Sequence, residues 1–259
     1  MNSFRLSETT CRSAHWDNIK GILIFLVIIA HFAMYYPALQ DIVIVCYSFY
    51  MPAFLFVSGY FTKESSLQTH KMLRLICIFL LFNFVLMVGK YGLNSNDWQW
   101  FSVHLSAWYL LALILYRLSI PLLDKAGSKK TLIISITVGL CVGLIPHKDS
   151  FCLYKIIPLY PFFIAGYWWR KQKMRDGITW ISNFIGKFFI GIGFVVLLLV
   201  TLFLMKQGYI YSNQIWWQPY LTDIEFLSRA WLYCVGIIAI YALMQLVPKH
   251  NIFAITHWG

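Results

Sequence analysis

The feature that most constrains this chain is a succession of long apolar runs. Eight are found, at 19–36, 42–61, 72–89, 106–123, 131–145, 151–169, 186–205 and 226–247. Most have the roughly 17 to 25 residues that a helix needs to cross a bilayer. They do not alternate between polar and apolar residues, so lipid-facing strands are excluded, and helix is the way left to satisfy their backbones. Composition agrees: 60% of the 259 residues are hydrophobic and 12% are charged, with a mean hydropathy of +0.67. Soluble domains carry about 25% charged residues. The expected fold is all-α, a polytopic transmembrane helix bundle of about eight spans, forming a single domain over residues 1–259. The fifth run is short and the sixth contains Pro158 and Pro161, so these two boundaries are the least sharply defined.

The net charge of +11 would suggest nucleic acid in a soluble protein, but here its placement matters more than its sum. Segments that alternate through the eight runs divide the basic residues unequally. One side has Arg5, Arg12, Lys20, Lys63, Lys71, Arg74, Arg117, Lys125, Lys129, Lys130, Arg170, Lys171, Lys173, Arg175, Lys187 and Lys249, 16 of the 21 Lys and Arg. The other has Lys90, Lys148, Lys155, Lys206 and Arg229. By the positive-inside rule, the first set lies in the cytoplasm together with the N-terminus. The expected location is therefore the cell membrane, with membrane lipid as surroundings and no nucleic-acid partner. The polar start lacks a small-residue cleavage site, so the first run is expected to remain as an anchor. The connecting stretches near 90–105 and 206–225 are rich in Trp, Tyr, Asn and Gln, and their composition suits re-entrant or interfacial segments roofing a cavity.

Within this apolar frame the ionisable residues stand out. In "DNIKGILIFLVIIAH", residues 17–31, Lys20 and His31 are 11 residues apart. At about 100° and 1.5 Å per residue they lie within about 20° of one helix face, about 16 Å apart along the axis. Asp17, one turn before Lys20, shares that face. Facing lipid would cost about 2.5 to 3.5 kcal/mol for a charged group near the helix centre. Lys20 and Asp17 can pair or snorkel at the interface, whereas His31 lies too deep for that. A neutral histidine can take and return a proton near pH 7, so His31 is a candidate general base. Its alternative role is a core histidine bonded to a neighbouring helix.

Other stretches carry weaker signals. "YMPAFLFVSGYFTK" has Pro52 inside the run, with the small pair Ser58 and Gly59 near its cytoplasmic end, where a backbone or ligand can approach closely. Lys71 and Arg74, one turn apart in "HKMLRLICIFLLF", could clamp phosphates or simply fix topology. Trp108 is read at the outer end and Arg117 at the inner end of "HLSAWYLLALILYRL". His104 is the only other histidine placed near a site. Cys11, Cys46, Cys77, Cys141, Cys152 and Cys234 show no CxxC spacing and fall mostly inside apolar runs. They are expected to be buried, inert thiols, and no metal site is expected.

Together these stretches resemble the acyltransferase-3 family of integral membrane O-acyltransferases, above all its fucose 4-O-acetylase-like branch. The resemblance rests on "DNIKGILIFLVIIAH", "MPAFLFVSGYF", "HKMLRLICIFLLF", "AWYLLALILYRL" and "PFFIAGYWWRK", from residue 15 to about 171. It implies transfer of an acyl group, commonly acetyl from acetyl-CoA, to a hydroxyl of a sugar or other cell-envelope glycan or glycolipid. Acyl-CoA would be a co-substrate, with no bound cofactor. His31 would be the general base, with Asp17 supporting the geometry and Lys20 offsetting negative charge on the donor or the tetrahedral intermediate. Lys71 and Arg74 would meet CoA phosphates, and Ser58, Gly59, Trp108 and Arg117 would line the substrate or acyl-CoA path.

Many family members carry arginine at the position of Lys20 and glycine at that of Ala30, and they usually have about ten spans. The end "NIFAITHWG" reads as a lead into a ninth, so the C-terminal end of the domain is expected to be incomplete. Two rival readings follow from the residues. One is a transporter or flippase for an envelope lipid or sugar, the other a truncated, non-catalytic remnant of an acyltransferase; no paired repeats support the first.

Overall fold

A computed structural model of the protein describes residues 14–63, 67–92, 102–103, 107–144, 151–171, 183–208 and 223–252. Among these residues the regular structure is helical, in the order α1 (Ala14–Ala33), α2 (Gln40–Phe61), α3 (Thr69–Tyr91), α4 (Trp108–Leu118), α5 (Ile120–Ala126), α6 (Ser128–Cys141), α7 (Leu153–Lys171), α8 (Phe184–Lys206) and α9 (Asp223–Leu246). Short 3-10 turns occupy Pro37–Leu39 and Val142–Leu144. The chain is an all-α bundle.

Five helices, α1, α2 with its preceding turn, α3, α8 and α9, are long and apolar enough to cross a membrane. The pair α5 and α6 makes a sixth if counted as one span, bent by 119° at Gly127. Gly127 has φ +83°, a conformation that glycine adopts without steric cost. The remaining differences from eight uniform spans have local causes. The run at 106–123 divides at Ser119, just before Pro121, leaving α4 with 11 residues, about 16 Å of helix and too short to cross alone. The run at 151–169 does form one helix, α7, of 19 residues. Its tyrosines, prolines and Lys155 hold its hydropathy below that of a lipid-facing span, because it faces protein.

The centre of the bundle is α2 packed against α7. In α2, 67% of the most apolar stretch is buried, against 6% in α8 and 11% in α3, so α8 and α3 are peripheral helices with apolar side chains outward. The α2–α7 crossing is closed by a reciprocal pair of glycines. A Cβ on Gly59 would stand 2.0 Å from the Phe163 carbonyl oxygen, and one on Gly166 would stand 1.9 Å from that of Phe56. Small residues allow this backbone approach, and dispersion supplies the attraction that the hydrophobic effect cannot supply in lipid. Around the crossing lie Leu55, Leu159, Phe163 and Tyr50, each at most 1% exposed.

Polar contacts sort the helix ends into two groups. At one end Asn18 of α1 donates to the carbonyls of Pro248 (3.0 Å) and His250 (2.9 Å), just beyond α9. There Trp16 also stacks on Tyr60 with centroids 4.1 Å apart, and Arg170 Nη1 donates to the Tyr60 carbonyl at 3.2 Å. Lys171 pairs with Asp124 at 2.7 Å, and Tyr167 Oη donates to the same carboxylate at 2.8 Å, holding α5 against the end of α7. At the other end Lys206 of α8 pairs with Asp41 of α2 at 2.7 Å, and Arg229 of α9 donates to the carbonyl of Gly139 in α6 at 3.0 Å. The chain thus reverses direction from α1 to α2 and again from α8 to α9.

Two expectations are corrected here. Cys77, Cys141 and Cys234 are exposed on the bundle surface, not buried; Cys46 alone among the described cysteines is buried, and Cys152 is half-buried. An apolar run contains both protein-facing and lipid-facing positions, so membership of a run does not determine burial. Arg229, read as a loop charge, is fully buried inside the bundle, bonded to a helix carbonyl. The stretches near 90–105 and 206–225 fall for the greater part outside the described residues, and Cys11 and His104 lie outside them.

Candidate active site

The first helix carries the densest set of chemistry-bearing residues. Because α1 is unbroken from Ala14 to Ala33, Asp17, Lys20 and His31 share the rigid spacing that their sequence separation implies. Asp17 is buried, and its Oδ1 accepts from Lys20 Nζ at 2.9 Å. That ammonium also lies 4.4 Å from the centre of the Phe61 ring, at the last residue of α2. Pairing plus the ring face offsets the cost of holding the charge half-buried.

Three turns further on, the face opens. The His31 ring is exposed, with Nδ1 2.8 Å from the Val27 carbonyl oxygen and the Tyr47 ring 6.5 Å away between centroids. A carbonyl only accepts, so this bond requires the proton on Nδ1 and leaves the Nε2 lone pair free. That is the tautomer a general base needs. The Tyr47 hydroxyl donates to Met34 Sδ at 3.0 Å. The lysine and the histidine are separated by about 16 Å, so they cannot act on the same atom.

A second polar group lies one turn before the end of α2. Ser58 Oγ is 2.6 Å from Tyr109 Oη on α4, and Phe54 packs edge-on to the Tyr109 ring with centroids 5.5 Å apart. Arg117, two turns along α4 from Tyr109, lies within its electrostatic reach, since long side chains on a helix lean toward its N-terminus. The start of α4, expected at the outer end of the bundle, is thus drawn against the penultimate turn of α2. The same displacement shows in Asn83 of α3, which donates to the Ser102 carbonyl at 3.1 Å; Trp108 itself keeps a contact toward the far end, its ring centre 5.9 Å from Nζ of Lys155 in the first turn of α7. The chain before α4 therefore reaches α3 well short of that helix's end.

The remaining candidates are separate from these groups. Gly59 turns its open side to α7, as described above. Trp108 is buried at the start of α4. Lys71 and Arg74 are both exposed in the first turns of α3, available to a ligand outside the bundle. Sequence reasoning did not single out Tyr47, Tyr109 as a partner of Ser58, Arg170 or Arg229. Each lies in an aromatic or basic stretch that an interfacial belt or topogenic charge explains equally well. Among the described residues, no cluster of three or more His, Cys, Asp or Glu side chains could hold a metal ion.

The fold is an α-helical bundle with membrane-spanning helices, carrying the Asp17–Lys20 pair and the His31 imidazole on its first helix. The family model described as an acyltransferase domain matches residues 14–257, nearly the whole chain, and the protein belongs to this acyltransferase-3 family. No curated protein and no solved structure matches the chain. It is accordingly a multi-pass membrane acyltransferase.

Proposed function

We propose that the protein transfers an acyl group, acetyl in the simplest case, from acyl-CoA to a hydroxyl of a sugar or other cell-envelope glycan or glycolipid. The observation carrying this reading is the layout of α1, with the Asp17–Lys20 pair at one end and His31, its Nε2 free, three turns away. In the reaction His31 Nε2 takes the proton of the acceptor hydroxyl as that oxygen attacks the thioester carbonyl. A C–O bond forms, the C–S bond breaks, and the proton passes on to the CoA thiolate, so the imidazole ends as it began. Lys20, about 16 Å away, is too far to stabilise the tetrahedral intermediate and serves the donor's negative charge. Asp17 holds Lys20 in place. Lys71 and Arg74 meet CoA phosphates at the surface, and Ser58, Trp108 and Arg117 belong to the walls of the donor path, whereas Gly59 is closed off by the α7 backbone and serves the helix crossing.

The unequal distribution of Lys and Arg supports a cytoplasmic N-terminus in the cell membrane, which gives the Asp17–Lys20 end access to cytoplasmic acyl-CoA. The test is purified protein in detergent, given radiolabelled acetyl-CoA and cell-envelope fractions. Label is expected on a glycan or glycolipid component. Label found only on CoA and free acetate would defeat the proposal and favour a transport role.

A further inference from the structure

The Ser58, Tyr109 and Arg117 group has an unmet requirement. Arg117 is half-buried and permanently charged, yet its Nε is a buried donor with no hydrogen-bond partner, and it takes part in none of the ion pairs among the described residues. A guanidinium withdrawn from water without a counter-ion is costly and is retained where an anion completes it. Two turns back on α4 from Arg117 and within its electrostatic reach, the Tyr109 hydroxyl is bonded to that of Ser58 at 2.6 Å; Ser58 Oγ donates to the Phe54 carbonyl at 2.9 Å, so Tyr109 donates to Ser58. Both side chains are only partly buried, so a ligand can reach them. One cation with a planar fork of donors, within electrostatic reach of two hydroxyls that can turn a proton from each other to a ligand, suits phosphate oxygens.

Position selects among phosphates. Lys20 touches Phe61 at the end of α2, and Ser58 lies one turn further in on the same helix. Tyr47, the α2 neighbour of His31, is 11 residues beyond Ser58, about 16 Å by helix rise. A pantetheine arm spans such a distance between its diphosphate and its thioester. We propose that Ser58, Tyr109 and Arg117 form a subsite for the diphosphate of acyl-CoA, which sets the depth to which the arm enters and so delivers the thioester to His31. The subsite rests on the acyltransferase reading above and adds a second phosphate contact, distinct from exposed Lys71 and Arg74.

The test compares acetyl-CoA with acetyl-pantetheine, which carries the same thioester without the diphosphate. In Arg117→Gln the preference for acetyl-CoA, measured as the ratio of kcat/KM values, should fall by roughly 10- to 100-fold, the loss expected for a charge-assisted hydrogen bond. Tyr109→Phe should lower it less, and Arg117→Lys should retain part of it. Calorimetric titration with CoA and with pantetheine provides a readout free of turnover: Arg117→Gln should weaken CoA and spare pantetheine. Size-exclusion profiles identify any variant that fails to fold, and the other two then carry the comparison.

An unchanged preference, with both donors equally slowed or equally unaffected, overturns the subsite. A raised acceptor KM with both donors would assign the group to a phosphate on the acceptor and overturn the donor assignment. Wild-type protein that neither binds CoA nor transfers acetyl would defeat the acyltransferase reading itself, a result separate from the failure of the subsite alone.

Discussion

At the residue scale, the group on which the proposed reaction depends is His31. Its Nδ1 contact with Val27 fixes one tautomer and frees Nε2, a feature that spacing alone could not supply. A general base contributes about 10² to 10⁴ in rate, so His31→Ala should reduce acyl transfer below detection while expression and membrane insertion persist. His31→Gln is the sharper variant, because an amide can replace a hydrogen bond but cannot take and return a proton near pH 7. Parent-level transfer by the Gln variant, measured with labelled acetyl-CoA, would reduce His31 to a packing residue. Lys71→Gln or Arg74→Gln should raise the apparent KM for acyl-CoA without changing acceptor dependence, each losing about 1.5 to 3 kcal/mol. An unchanged donor KM would leave both as topogenic charges. The Asp17–Lys20 pair was legible because charges one turn apart on a helix meet. The Tyr109–Ser58 contact was not, since it joins helices 51 residues apart and depends on where a short α4 begins.

At the element scale, the sequence showed where helices occur more clearly than which surface each presents. Apolar length marks α1, α2, α3, α8 and α9 directly, and those are the helices with span length. It reads α7 less well, because a helix surrounded by protein can carry Pro158, Pro161 and several tyrosines whose hydroxyls find partners. Tyr233 donates to the Pro158 carbonyl at 2.6 Å, and the Tyr160 hydroxyl bonds Ser119 Oγ. It also misplaces Arg229, whose buried bond to Gly139 depends on a neighbour 90 residues away. The Ser-Gly pair of α2 marks where the helices cross, and half of its meaning is packing. A Cβ at Gly59 or Gly166 would meet backbone, which cannot rotate away. Gly59→Ala and Gly166→Ala should therefore each lower stability by about 1 to 3 kcal/mol or more, seen as a lower Tm in detergent. Gly89→Ala on α3, where nothing lies within 4 Å, should leave Tm unchanged or slightly raised. Equal Tm values across the three variants would contradict the close α2–α7 crossing.

At the scale of the whole molecule, two independent patterns bear on orientation. One is the unequal division of basic residues, a property of sequence alone. The other is the spatial grouping of helix ends: α1 start, α2 end, α7 end and α9 end together through Asn18, Trp16 and Arg170, and α2 start with α8 end through Asp41 and Lys206. The first pattern assigns Lys63 and Lys129 to the cytoplasm, and the second places Lys63, two residues past the end of α2, with the start of α1. Gln40 and Gln207 flank Asp41 and Lys206 at the opposite end. In a background lacking the native cysteines, single cysteines at positions 63 and 129 should react with a membrane-impermeant maleimide only after the cytoplasmic face is opened. Those at 40 and 207 should react in intact cells. The experiment separates two kinds of error. If 63 and 40 react from the same side, α2 does not cross the membrane. If all four reverse sides together, the bundle stands but its Asp17–Lys20 end faces outward, away from cytoplasmic acyl-CoA. That second result would leave the helix packing intact and remove the donor route on which His31, Lys20 and Arg117 are assigned their parts.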